Sequence, residues 1–170
     1  MFGLFSKYVT ADELVVRLRQ PFAEVCGIVA SIDGPFVKIY EAGVFVASVA
    51  TVKILASRKD RPDRFADEFN RMWVREVIGC YRVNGVAPSC DVAITRLQET
   101  FPVYRDLLFK VVDAAPGEKK HNAAVQLMWE LFTNCTGRSQ PEREGGFITL
   151  VAVSGELVRI SADVQKAVGK

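Results

Sequence analysis

The chain has 170 residues and a mass of 18.8 kDa, the length of one ordinary domain, with 49% hydrophobic and 25% charged residues. That balance excludes a disordered or collagen-like polymer, and four cysteines without a C-x-x-C pair exclude a dense disulfide scaffold. The 22 basic residues against 20 acidic ones leave a net charge of +2, which weighs against a protein that lives on nucleic-acid phosphates.

The first residues, Met1-Phe2-Gly3-Leu4-Phe5-Ser6-Lys7, are too short an apolar run for a secretory signal, and Lys7 follows the run instead of preceding it. Gly3 lies one position too late for N-myristoylation. Phe2, Phe5 and Val9 share one face of a short helix, so 1–9 reads as a docking segment for its own domain or a subunit. Lys7 is its only cation and allows no more than weak contact with a membrane surface.

Thr10-Ala11-Asp12-Glu13 is a capping-box pattern that opens a helix running toward Cys26, with a kink expected at Pro21. Asp33-Gly34-Pro35 then breaks the chain. Segment 36–57 is apolar all round a helical wheel, which suits a buried central helix or, alternatively, two strands folded at Glu41-Ala42-Gly43. It is also the best membrane-spanning candidate, but Lys38, Glu41 and Lys53 interrupt it. Its charge-free run, 42–52, would rise only about 16 Å as a helix, roughly half of a hydrocarbon core. A buried core helix is the expectation.

Pro62 suits a first turn, and a helix over 62–83 places Phe65, Phe69, Met72, Trp73, Val77 and Cys80 on one side. Opposite them lie Arg64, Arg71, Arg75 and Arg82, preceded by Arg58, Lys59 and Arg61. This arginine face can meet phosphate, an acidic partner or anionic lipid. It can equally be a solvated surface neutralised by Asp60, Asp63, Asp67, Glu68 and Glu76, with Asp67 paired to Arg71. Asn84-Gly85 ends the helix. Ser89 caps the next, which carries Ala93, Leu97, Tyr104, Leu107, Leu108 and Val111 inward and is kinked or restarted at Pro102.

Pro116-Gly117 precedes a fifth helix, 118–135, with Val125, Met128, Leu131 and Phe132 inward. The polar stretch 137–146 is the longest loop signal. Segment 147–168 reads as a last helix, although Ser154-Gly155 also permits a hairpin over 147–160.

No motif supplies chemistry. His121 is the only histidine; it lines up with Val125, Met128, Phe132 and Cys135 and reads as a histidine at the edge of the core. No E-x-x-H, H-E-x-x-H or D-x-D-x-D-G sequence offers a metal site, and no G-x-x-x-x-G-K, G-x-G-x-x-G or G-x-S-x-G offers a phosphate cradle or a serine nucleophile. No cofactor or metal is implied. Trp73 and Trp129 read as core residues. Cys26, Cys80, Cys90 and Cys135 read as free buried thiols in a reducing cytoplasm, although a turn could bring Cys80 near Cys90. Asn134-Cys135-Thr136 spells a glycosylation sequon that a cytoplasmic chain cannot use.

The expectation is therefore one soluble, cytoplasmic, all-α domain over 1–170, an antiparallel bundle of about six helices. The alternative is α+β, if 36–57 or 147–160 form hairpins. Its expected role is non-catalytic: an interaction, adaptor or regulatory module that self-associates or binds a protein through Phe2, Phe5, Arg64, Arg71, Arg75 and Arg82. The rivals are a helical pocket for an apolar small molecule and an enzyme whose site, at His121 or a cysteine, has no readable motif.

Overall fold

The computed structural model describes residues 9–34, 38–84 and 88–169, with side chains throughout those spans except 80–84. Six helices follow one another: α1 (Ala11–Asp33), α2 (Ile39–Ser57), α3 (Pro62–Asn84), α4 (Cys90–Asp113), α5 (Glu118–Thr136) and α6 (Gly146–Val168). No strand occurs among the described residues, so both 39–57 and 146–168 are helices and not hairpins. The segment 1–8, with Phe2 and Phe5, lies outside the described residues.

Local chemistry sets the helix ends. Thr10 Oγ1 accepts from the Glu13 N–H at 3.2 Å, and Glu13 Oε2 accepts from the Thr10 N–H at 3.0 Å, the reciprocal capping box. Ser89 Oγ accepts from the Val92 N–H and opens α4. Gly137, at φ 72°, closes α5 in the left-handed region, where a side chain would be strained. α1 runs to Asp33, seven residues past Cys26, because Val25, Ile28, Val29 and Ile32 continue the buried stripe. Pro21 and Pro102 stand inside α1 and α4 without ending them. The carbonyls that lose a donor belong to Arg17 and Gln98, both exposed residues within reach of water.

α2 is the centre of the molecule and touches each of the other five helices. Every residue from Glu41 to Thr51 is buried, which explains why its apolar character shows no favoured face. Glycine lets α3 come close: a Cβ on Gly43 would stand 2.6 Å from Val77 Cγ2. Trp73 Nε1–H donates to the Gly43 carbonyl at 2.8 Å, and Thr51 Oγ1 donates to Asn70 Oδ1 at 3.2 Å. α2 and α3 therefore run in opposite directions. The aromatic part of the core includes Phe22 edge-on to Trp73 and Phe45 edge-on to Tyr104, at 5.7 and 5.2 Å between ring centroids.

The polar stretch before α6 is tied to α1 by one carboxylate. Asp33, with 6% of its side chain exposed, accepts from the backbone N–H groups of Glu142 and Arg143 and pairs with Arg138. The Glu142 N–H leads in holding this carboxyl below the usual aspartate range, against the cost of desolvation, with Arg143 and Arg138 acting in the same direction. Its contribution is thus present above the ordinary aspartate pKa and is lost as pH falls through the lowered value. Asp33→Asn is expected to speed amide hydrogen exchange at Glu142 and Arg143 at neutral pH, while α2 amides keep their protection. Unchanged exchange at those two amides would show that other contacts hold the loop.

One sequence expectation needs correction here, and a second needs refining. His121 is exposed because the whole first turn of α5, 118–122, is exposed and burial begins at Ala123, although Met128 and Phe132 on the same side of the helix are fully buried. Trp129 is half-buried: it packs against the core from its edge and meets the exposed Phe147 edge-on at 5.8 Å. Cys135 is buried, Cys26 and Cys90 are half-buried, and none of the three carries a disulfide.

Candidate functional site

α3 is amphipathic because its apolar residues recur on one side, and Phe65, Phe69, Trp73 and Val77 bury that side against the core. Its outer face follows from the same spacing. Arg71 and Arg75 stand 7 and 11 residues after Arg64, about 20° to either side of it around the helix axis. The three form one stripe about 16 Å long, and all three are exposed. Arg82 continues the spacing, but its side chain lies outside the described set.

The acids interleaved with this stripe make no direct ion pair with it, although Asp67 lies beside Arg71 and Asp60 and Glu68 lie beside Arg64. Arg64, Arg71 and Arg75 form no ion pair among the described residues, and the Asp67–Arg71 pair is absent. Glu76 turns away and takes Arg19 of α1 at 2.7 Å. Other arginines are engaged: Arg96 with Glu41, Arg138 with Asp33, and Arg159 with Glu24, Glu156 and Asp163. Arg58, at the stripe's head, donates to the Val9 carbonyl and lies 3.6 Å over the Phe65 ring. Arg64 lines a shallow pocket with Arg58, Asp60, Arg61, Phe65 and Glu68.

Arg71 opens onto a cleft between α3 and α4, with α2 beneath. The cleft measures about 240 Å³ and is lined by Thr51, Asp67, Asn70, Arg71, Ile94, Leu97, Gln98 and Phe101. Leu97 is buried, while Ile94 and Phe101 are half-buried, so the α4 wall is apolar below the exposed Gln98.

A second polar constellation sits where α2, α4 and α5 meet. Glu41 is 2% exposed, and its Oε1 accepts from Arg96 Nε at 2.8 Å. Arg96 also donates to Asn134 Oδ1, and Asn134 Nδ2 donates to the Tyr104 hydroxyl and to Glu130. Glu41 Oε2 has no hydrogen-bond partner. Burial pushes the Glu41 carboxyl up, with Arg96 opposing the shift, and burial raises Tyr104 and Cys135 as well. A thiol held protonated in this way is a poor nucleophile, so Cys135 belongs to the packing here.

Sequence reading missed this network and the cleft wall. The available signal for the first was a lone carboxylate, Glu41, in an otherwise apolar segment; such a group enters a core only with a partner. Nothing in the spacing pointed to Asn134 or Gln98. No protein-family model, curated protein or solved structure matches this chain.

Proposed function

We propose that this chain is a cytoplasmic, non-catalytic helical interaction module, with a protein partner or a second copy of itself docking on the outer face of α3. One observation carries the reading: Arg64, Arg71 and Arg75 form an exposed stripe on one helix face without intramolecular ion pairs, while Arg19, Arg96, Arg105, Arg138 and Arg159 are each tied to a carboxylate. An arginine fork left free has its planar donor set available for a carboxylate of another molecule. Phe2 and Phe5 remain a second candidate contact, tested by whether removal of 1–8 changes assembly.

The test is photo-crosslinking in cells with a benzoylphenylalanine in place of Glu68, which is exposed on the stripe, and a control in place of the exposed Val16 of α1. Adducts are expected at position 68 and not at 16, and Arg71→Glu with Arg75→Glu should abolish them. Both arginines are exposed and unpaired, so the double variant should lose no more than about 0.6–1.5 kcal/mol, from new like-charge pairs with Asp67, Glu68 and each other, and should stay folded. The adduct mass separates a second copy from another protein. Equal adducts at 16, or adducts that survive the charge reversal, would refute the reading.

The rival, a site for an apolar small molecule, would use the apolar groove between α4, α5 and α6, whose volume of about 240 Å³ is also below the usual range for such sites. Leu108, Val111, Val112, Leu127, Val158 and Ala162 are among its lining residues. Native mass spectrometry of freshly purified protein decides it: excess mass over a whole number of chains would move this reading ahead.

A further inference from the structure

We infer that the cleft between α3 and α4 receives one apolar side chain and the neighbouring carboxylate of an acidic amphipathic segment on the partner protein. This inference rests on the reading of α3 as the partner face and adds the chemistry of what docks there.

The cleft has two characters, side by side. Ile94, Leu97 and Phe101 recur three to four residues apart along α4 and present one apolar wall. Asn70, Arg71 and Gln98 stand around it as polar groups. The Thr51 hydroxyl donates to Asn70 Oδ1, which occupies that acceptor and leaves the Asn70 amide N–H groups as donors beside the Arg71 guanidinium. A donor set of guanidinium and amide fits a carboxylate, which accepts two parallel bonds from arginine. Asp67 lies on the same rim one turn before Arg71 and repels a carboxylate there, so the acid of the occupant is placed toward Arg71 and Arg75 and away from Asp67.

Size favours a side chain over a free ligand. At about 240 Å³ the cleft falls below the roughly 300–1,000 Å³ of small-molecule sites, while an anchor residue inserted into a pocket needs only this much room. Arg75 lies one turn along the stripe from Arg71, in position for a further acid on the same segment. An acidic helix with leucines on one face satisfies both walls together.

The test uses a 15-residue amphipathic peptide with leucines on one face flanked by glutamates, and the same peptide with glutamine for every glutamate. Each is titrated into the isotopically labelled full chain and followed by amide chemical shifts. The glutamate peptide should give saturable shifts centred on Asn70, Arg71, Leu97, Gln98 and Phe101. Both the glutamine peptide and Arg71→Ala should weaken binding by about tenfold or more, while Arg105→Ala, which removes an exposed arginine elsewhere on α4, should bind as wild type. Lack of saturable shifts, shifts centred instead on Trp129 and Phe147, or equal binding by the glutamine peptide would overturn the inference. Those results leave the crosslink at position 68 standing, whereas loss of that crosslink removes the partner face itself.

Discussion

Arg96→Ala is expected to cost about 3 kcal/mol of stability at neutral pH, because it leaves Glu41 buried without its counter-charge. The figure is at the low end for a broken buried pair, since Arg96 keeps about a third of its side chain in solvent. The pH dependence has a definite sign. Burial raises the Glu41 carboxyl in the folded state, so the native protein holds this proton more readily than the unfolded chain. Its stabilising effect is full below the ordinary glutamate pKa and is lost as pH rises through the raised folded value. Removing Arg96 takes away an opposing influence and strengthens that trend. Urea denaturation of wild type and Arg96→Ala at mildly acidic and neutral pH should show a deficit that widens with pH. Adding Glu41→Leu should recover much of the loss, since an apolar replacement leaves no charge to solvate. A deficit below about 1 kcal/mol that is flat with pH would mean that Glu41 reaches water in solution.

Trp73→Ala should be at least as damaging, at about 3–5 kcal/mol. Trp73 is 1% exposed, stacks with Phe69, meets Phe22 edge-on and donates its indole N–H to the Gly43 carbonyl. Its loss opens a cavity where α1, α2 and α3 converge, beside Gly43, whose lack of a side chain makes room for Val77 of α3. Trp73→Phe should cost clearly less, because most of the apolar volume returns and the Gly43 carbonyl can still accept within its own helix. Thermal unfolding of the two variants gives the comparison. Equal midpoints for Trp73→Ala and wild type would show that the three helices close over the gap.

Much of this fold is legible in the order of residues because its signals are local. The Thr10–Glu13 box, the Ser89 cap, the Pro62 first turn and the glycines at 117 and 137 mark helix ends within four residues of themselves. The alternation of Phe65, Phe69, Trp73 and Val77 with charged positions marks a half-buried helix in the same way. Where the signal is packing, sequence is silent or ambiguous. The 36–57 segment fits a strand pair as well as a helix, and the choice falls to the five helices around it. His121 reads as an edge-of-core residue because its spacing matches the buried Met128 and Phe132, yet it stands in the first turn of α5, which is exposed throughout. The arginine stripe was legible as a spacing, but its lack of partners was not. Glu76 could have served it and instead reaches 57 positions back along the chain to Arg19. The Glu41–Arg96–Asn134–Tyr104 network likewise joins three helices, and no short pattern encodes it.

The central place of α2 has a consequence for biosynthesis. This helix is the one described element long and apolar enough to cross a membrane, and about two thirds of it is hidden in the finished fold. It is made before α3 to α6, and α5 and α6, which complete its cover, follow it by about sixty residues or more. At roughly 5–20 residues per second, about 5–20 s separate the end of α2 from the end of α6. During that interval a nascent chain displays a greasy helix to chaperones, to targeting machinery and to its neighbours on the same message. Late truncations should therefore produce chains that are captured or aggregate, even though every residue of the arginine stripe has already been translated.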